Sequence, residues 1–414
     1  MSDTMSADVT FAPITESSST CPLRPKMLRQ LTRQAAGHEG EIFKEGNAVG
    51  STADSPTILK KLDTNEAKDY EDFWSCPDDP LAAFIPKYEG TVQLQNDDDA
   101  LKEEEEEASA PTRFRRFIRL QNVLFRFRQP FVMDCKMGIR SFEESECGSQ
   151  KERKDLFDRL LKIGGSGFLT EEELARGWIT KHKWMSTRDK MSSTYDLGFR
   201  IDGIAGPNFK VKADEFSSIS SRAIVVALLQ RFLLLPFLDA AMLDKVGSGG
   251  GFTAMPGDDD TLDELDRPLD SLWRRADNKS LSARINLAQE FVNYMERLRE
   301  SAEKSSFFQS HEFIGCSLLF VVDSTSQSGV HLIDLAKTKP LPDGVQIDHR
   351  RRWELGNHED GFLFGVDSFA CCWQEVLDTL NDEFKKLAAE DPGRDGFTRT
   401  DVFSDSPEAD LMLW

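Results

Sequence analysis

The stretch Pro130-Phe-Val-Met-Asp134-Cys-Lys136-Met-Gly138 narrows what this chain can fold into more than any other. An apolar run passes without a break into a carboxylate, a cation and a glycine in alternation. In an extended backbone, Asp134 and Lys136 point to one face and Cys135 to the other. One face of a strand thus carries a base or metal-type ligand beside a fixed positive charge. Phosphoryl transfer uses that pairing, one group to orient a hydroxyl and one to neutralise moving phosphate charge. Standing alone, an Asp-x-Lys pair is more often a salt bridge at a strand end, so its meaning here depends on the rest of the chain.

The chain has 414 residues, 39% of them hydrophobic, enough for a sizeable core and long enough for two or three domains. A net charge of −21 argues against general nucleic-acid binding, which needs a basic face. It leaves room for a local basic pocket. Seven cysteines occur without a Cys-x-x-Cys pair or regular spacing, which reads as free thiols in a reducing, cytoplasmic setting. Residues 1–19 are Ser/Thr-rich and lack the apolar run of a secretion signal. The best candidate for a membrane segment, Ala223 to Leu243, contains Gln230, Arg231, Pro236 and Asp239. A charge near the centre of a span costs roughly 2.5–3.5 kcal/mol, so this reads as a buried or interfacial helix and no transmembrane segment is expected.

The hydrophobic pattern divides the chain. Residues 1–33 read as a flexible N-terminal segment. Within 22–34, Arg24, Lys26, Arg29 and Arg33 surround Met27, Leu28 and Leu31, a short basic amphipathic stretch. Such a stretch binds calmodulin or an anionic surface, or is simply a solvated helix leading into the domain. Residues 34–124 suggest a small β-rich lobe, with strands at 57–61, 90–94 and 114–127 and an acidic, self-repelling loop at 96–110. A larger lobe spans 125–392. It should contain a helix at 151–162, then a Thr170-Glu-Glu-Glu173 capping box opening a helix that runs to about Lys183. A glycine-rich then acidic stretch at about 245–272 reads as a flexible insertion. Leu281, Ile285, Ala288, Val292, Met295 and Leu298 repeat at helical spacing, and strands follow at 313–322 and 329–335. Residues 393–414 form an acidic tail.

The Pro-x-x-x-Asp-x-Lys-x-Gly pattern at 130–138 resembles the signature of the inositol polyphosphate kinase family. Two further landmarks follow in the family's order. Gly315-Cys-Ser317-Leu-Leu-Phe-Val-Val-Asp323 resembles its Ser-Ser-Leu-Leu segment, with Cys316 for the first serine. His331-Leu-Ile-Asp334-Leu-Ala-Lys337-Thr338 resembles its Ile-Asp-Phe segment, with Leu335 for the phenylalanine. Residues 153–204 resemble the helical substrate-binding insertion of the inositol 1,4,5-trisphosphate 3-kinase branch, which is much shorter in broad-specificity multikinases. The resemblance covers roughly 34–375. It implies an α+β, two-lobed kinase-like fold: a small antiparallel β-rich N-lobe and a larger α+β C-lobe, with the helical insertion at 150–197.

The resemblance also implies roles. ATP would be held by Lys60 on its phosphates, with Lys61 the rival, and by backbone groups of Gln121 and Val123 at an interlobe hinge. The family usually has an acidic residue there, so Gln121-Asn122 is a departure. Asp334 would hold Mg2+, although an Asp at a strand end is by itself often a turn residue. Ser317 would hold a phosphate or a metal-bound water. Asp134 and Lys136 would be catalytic, Lys136 also touching the inositol substrate; whether Asp134 takes the proton stays open, because a loose transition state needs little base help. Of the cations Arg176, Lys181, Lys183, Arg188, Lys190 and Arg200, Arg200 is the expected phosphate contact, joined by Lys210. The segment from His349 through Arg350-Arg-Arg352 reads as structural closure, a phosphate role being the alternative. The implied activity is ATP- and Mg2+-dependent phosphorylation of inositol 1,4,5-trisphosphate at its 3-hydroxyl. The family's 3-kinases often carry a calmodulin-binding segment before the catalytic domain, as residues 22–34 would be. The alternatives are a broader multikinase and a catalytically inactive module that captures inositol phosphate or calmodulin.

Overall fold

The computed structural model describes residues 28–30, 42–45, 55–95, 114–211, 213–247, 252–253 and 278–390. The acidic loop 96–110 and the tail 393–414 lie outside the described residues, as does most of the stretch at 245–272.

Two five-stranded antiparallel sheets organise the molecule. The N-lobe sheet comprises β1 (Leu28–Gln30), β2 (Ile42–Glu45), β3 (Thr57–Lys61), β4 (Tyr88–Gln95) and β5 (Phe114–Gln121), in the order β1-β2-β3-β5-β4. Leu28–Gln30 is thus a strand paired with β2, which corrects the reading of this part of 22–34 as a helix and of 1–33 as wholly loose. The rest of 22–34 lies outside the described residues. β5 also ends six residues before the expected Phe127. Asn122 stops it: its Nδ2 donates to Ser55 O at 2.6 Å and its Oδ1 accepts from Leu124 N at 3.1 Å, closing a turn.

A helix missed in the sequence, Thr64–Trp74, follows β3. The Asp63 side chain caps it, accepting from the amides of Asn65 and Glu66. It buries Tyr70 and Phe73 in the core and sets Glu66 in its first turn, where the helix dipole favours an acid.

The C-lobe sheet joins β6 (Phe131–Met137), β7 (Phe199–Gly206), β8 (Phe209–Val211), β10 (Ser317–Val322) and β11 (Ser328–Ile333) in the order β11-β10-β6-β7-β8; β9 (His311–Phe313) and β12 (Thr338–Pro340) form a separate ribbon. One face of the large sheet carries Met133, Cys135, Met137, Leu318, Phe320 and Phe199, all buried. That face packs on two long helices, Asn278–Lys304 and Phe362–Glu390. Phe320 meets Phe291 and Trp373, and Phe199 stacks on Phe369 with ring centroids 3.9 Å apart. A buried aromatic of this kind stabilises by about 1.5–3 kcal/mol through burial alone. Period-2 alternation therefore turns Asp134 and Lys136 to the opposite, front face.

The insertion folds as short helices, Lys154–Lys162, Glu171–Arg176, Lys181–Met191 and Thr194–Leu197, around its own small core of Leu156, Phe157, Leu160, Ile179 and Trp184. The capping box at Thr170 is present. The helix it opens stops at Arg176 instead of reaching Lys183, because Gly177 turns left-handed at φ 73° and its amide closes onto Glu173 O. Thr180 then caps a new helix.

Ala223 to Leu243 is broken likewise, into Arg222–Leu234, a tight turn through Pro236, and Ala240–Gly247. Buried Arg231 donates to Phe252 O at 2.5 Å, and Phe252 is itself fully buried against Phe209, so one residue of the insertion expected to be flexible is pinned to the core. Among the described residues, no helix is long and apolar enough to cross a membrane. The segment after β12 closes the lobe. Buried His349 pairs with Asp360, whose carboxylate also accepts from the Phe313 and Phe362 amides. Arg350 pairs with Glu303 and Asp367, and Arg352 donates to Tyr195 O. These arginines are engaged in structural contacts, as the closure reading expects.

Candidate active site

The front face of the C-lobe sheet brings the predicted residues together. Ser317 stands opposite Lys136, and Leu319 opposite Asp134, on β10. On β7, Arg200 and Gly203 stand opposite the same two residues. Directly paired residues project to the same side. Asp334 follows β11 immediately, at φ 63°, a left-handed conformation that Asp tolerates better than most side chains.

Asp334 bridges the two lobes. Its Oδ1 lies 2.8 Å from Lys60 Nζ and its Oδ2 2.8 Å from Lys136 Nζ. Lys60 also meets Glu66 Oε1 at 2.7 Å. Lys61, the rival, is exposed and has no ion pair among the described residues, so Lys60 is the lysine that reaches the site. Burial opposes the charge on Asp334, but Lys136 and Lys60 outweigh it and hold the carboxyl far below its ordinary range. Burial likewise opposes both ammonium charges. At Lys60 the carboxylates of Asp334 and Glu66 prevail, at Lys136 those of Asp334, Asp134 and Asp202, and both lysines titrate above their usual range. Glu66 is pushed up by burial, which exceeds the pull of a Lys60 shared with Asp334.

Asp134 is different. It is 4% exposed; its Oδ1 and the neighbouring Ser317 Oγ are buried without a well-formed hydrogen bond, and the Ser317 hydroxyl lies close enough to favour the carboxylate. Burial raises its carboxyl to about 6 against the pull of Lys136. Two polar oxygens buried on a shared face with no well-formed hydrogen bond are costly and mark where a ligand is expected.

The residues fit a nucleotide with a hard divalent cation. No group of three or more His, Cys, Asp or Glu side chains gathers among the described residues, and Asp334 is the carboxylate that stands between Lys60 and Lys136. One carboxylate is what Mg2+ needs when phosphates and water supply its other ligands. The predicted hinge is placed accordingly. Gln121 pairs with Thr57 and Ile118 with Lys60 across β3 and β5, so the hinge lies three residues, about 10 Å, along the sheet from Lys60. The Gln121-Asn122 departure has a structural reason. Gln121 bonds Lys87 through its backbone amide, at 2.8 Å, and its side chain, at 3.2 Å, while Asn122 ties the turn to Ser55. Val123 follows in that turn.

The acceptor-side residues separate. Arg200 is 6% exposed and its guanidinium is held by Asp202 at 3.1 Å, Thr194 at 3.1 Å and Asp189 at 3.5 Å. These partners brace it in the wall of the site, directly opposite Lys136. Arg188 reaches the same Asp202 at 3.3 Å with a side chain 24% exposed; burial and the like charge of Arg200 push its pKa down, against Asp202 and Asp189. It is the better-placed cation. Lys181 is paired with Glu146, Lys183 with Glu173, and Arg176 with Glu173 and the Trp178 ring. Lys210 shares the front face, through Ala205 and Val132, but on the edge strand two strands from Lys136, so the structure does not bring it into the cluster. Sequence reasoning missed Glu66, Asp189 and Asp202. Asp63 followed by Glu66 after a strand lysine was a readable helix start; the two aspartates were hidden inside a segment read only for its cations.

A family model described as inositol polyphosphate kinase matches residues 117–233 and 264–374, more than half of the chain. Curated relatives named inositol-trisphosphate 3-kinase A, from Homo sapiens and Rattus norvegicus, are 31% and 32% identical over 339 residues, 81% of this chain and 57% of each relative. The chain thus spans a little over half the length of these relatives. A crystal structure of an inositol phosphate multikinase from S. cerevisiae, in complex with ADP and Mn2+, aligns over 78% of this chain and all of that one, at 14% identity and a TM-score of 0.44. With a family model matched across both the Asp134–Lys136 strand and the Asp334 segment, this chain belongs to the inositol polyphosphate kinase family.

Proposed function

We propose that this chain is an ATP- and Mg2+-dependent kinase that phosphorylates inositol 1,4,5-trisphosphate at its 3-hydroxyl, giving the 1,3,4,5-tetrakisphosphate, in the cytoplasm. The observation that carries this reading is the Lys60–Asp334–Lys136 bridge with the buried Asp134 beside it. The relatives named as 3-kinases and the folded helical insertion favour this acceptor over a broad range of inositol phosphates.

In this reading Gln121 and Val123 receive the adenine through their backbone. Lys60 and Lys136 leave Asp334 for the phosphates, Lys60 braced by Glu66 and Lys136 placed to neutralise charge on the transferred group. Asp334 and Ser317 would hold Mg2+ and its water, the cation supplying charge neutralisation on the β- and γ-phosphates. Asp134 accepts a hydrogen bond from the attacking hydroxyl and orients it. Arg188, with Lys136, faces the acceptor's phosphates, and Lys210 stands further out as a contact for an extended anion.

The test is ATP turnover by the purified chain with inositol 1,4-bisphosphate, inositol 1,4,5-trisphosphate and inositol hexakisphosphate, with the new phosphate located by NMR. Turnover of the trisphosphate alone, at the 3-hydroxyl, is expected. Comparable turnover of several acceptors would move the chain to the multikinases. Tight binding without turnover would leave a binding module.

A further inference from the structure

Strand β7 carries one residue more than β6 at the site. Asp134 pairs with Gly203 and Cys135 with Ile201, so Asp202 is the extra residue of a β-bulge. A bulge takes its extra residue out of the ladder and re-aims its side chain, and bulges concentrate beside active sites. Here the re-aimed carboxylate joins the insertion to β7, the neighbour of the catalytic strand: Oδ1 accepts from Arg200 Nε on β7 at 3.1 Å and from Arg188 Nη2 of the Lys181–Met191 helix at 3.3 Å. Oδ2 accepts no hydrogen bond from the described residues, and the side chain keeps 14% of its surface exposed. Burial opposes its charge, but Arg200, Lys136 and Arg188 together keep it ionised.

A carboxylate is an unexpected neighbour for a polyanionic ligand. Clamping two arginines accounts for one of its oxygens and leaves the other without a hydrogen bond among the described residues, on a carboxylate near enough to Lys136 for the two charges to act on each other. An ionised carboxylate only accepts hydrogen bonds. It can therefore take one from an alcohol, whereas a phosphate at the same place brings a like charge and few protons to donate. Specific sites commonly combine an attraction to one ligand with a repulsion of its rivals.

We propose that Asp202 determines acceptor specificity: its free Oδ2 reads an unphosphorylated ring hydroxyl, and its charge turns away inositol phosphates that carry one more phosphate at that position. This rests on the inositol phosphate kinase reading above.

The experiment measures kcat/KM of the full chain for inositol 1,4,5-trisphosphate and for the 1,2,4,5- and 1,4,5,6-tetrakisphosphates. Each tetrakisphosphate adds one phosphate to the trisphosphate and leaves the 3-hydroxyl free. Asp202→Asn keeps the size and the arginine-facing oxygen but removes the charge; Asp202→Glu restores the charge. Asp202→Asn is expected to raise the ratio of tetrakisphosphate to trisphosphate kcat/KM at least tenfold for one of the two, with KM for ATP within twofold of wild type, and Asp202→Glu to keep the wild-type ratio. A proportional loss on all three acceptors would overturn the proposal and leave Asp202 a structural clamp. If wild type phosphorylates no inositol phosphate, the kinase reading itself fails and this inference falls with it; if wild type is active and the ratio is unmoved, only the inference falls.

Discussion

Asp134 sits in the site at the expense of stability. Its folded pKa of about 6 lies above the unfolded value, so the fold prefers the protonated carboxyl. The stability lost by ionising it therefore appears as pH rises from about 4 to about 6 and is complete above that, on the order of 3 kcal/mol. Asp134→Asn should raise Tm by several degrees at pH 7.5 and by almost nothing at pH 4, while lowering turnover by at least a hundredfold. Calorimetry of both proteins across pH checks the first part. If ionised Asp134 orients the acceptor, wild-type kcat/KM for the acceptor should fall as pH drops below about 6. Glu66 makes a different prediction. It touches Lys60 and, among the described residues, no other cation, so Glu66→Gln should raise KM for ATP about tenfold and leave KM for the acceptor within twofold. Steady-state kinetics with each substrate varied separate the two.

At the scale of elements, the molecule is fixed by close backbone approaches. Gly198, at φ 72°, precedes β7, and a Cβ on Gly365 of the Phe362–Glu390 helix would meet Gly198 O at 2.1 Å. No side-chain movement relieves a clash with backbone. Gly365→Ala should therefore cost about 2 kcal/mol or more, whereas Gly177→Ala, at a left-handed position with nothing within 4 Å, should cost about 1 kcal/mol. Chemical denaturation of both variants tests the ranking. The same contrast shows what a sequence makes legible. Strand β6 was readable because alternation alone decides which way Asp134 and Lys136 point. The break at Gly177 was not, because the Thr170 capping box marks a start and only the left-handed turn marks the stop. The Asp202 bulge was unreadable, since a bulge is a relation between two strands. The partners of Arg200 were unreadable for a related reason: they come from other elements, here Asp189 of a helix and the bulge itself.

The whole molecule places one carboxylate between two lobes. β11 is tied to the N-lobe by Leu332 N donating to Phe84 O at 2.8 Å, and one residue past that strand's end Asp334 takes a lysine from each side. Nucleotide with Mg2+ that binds only the folded chain should stabilise it by about 2.7 kcal/mol at a hundredfold excess over Kd, a shift that Asp334→Asn should reduce for the Mg2+ nucleotide far more than for the metal-free one. Thermal melts with ADP, with and without Mg2+, measure it. The central claim is that Lys136 acts on the phosphoryl group in transfer and not merely as a counter-ion of Asp334. Single-turnover transfer from labelled ATP to inositol 1,4,5-trisphosphate by Lys136→Ala, at saturating nucleotide, tests this most directly. The account predicts a transfer rate at least a thousandfold below wild type with Kd for ATP changed less than fivefold; a variant that transfers within tenfold of wild type would contradict it.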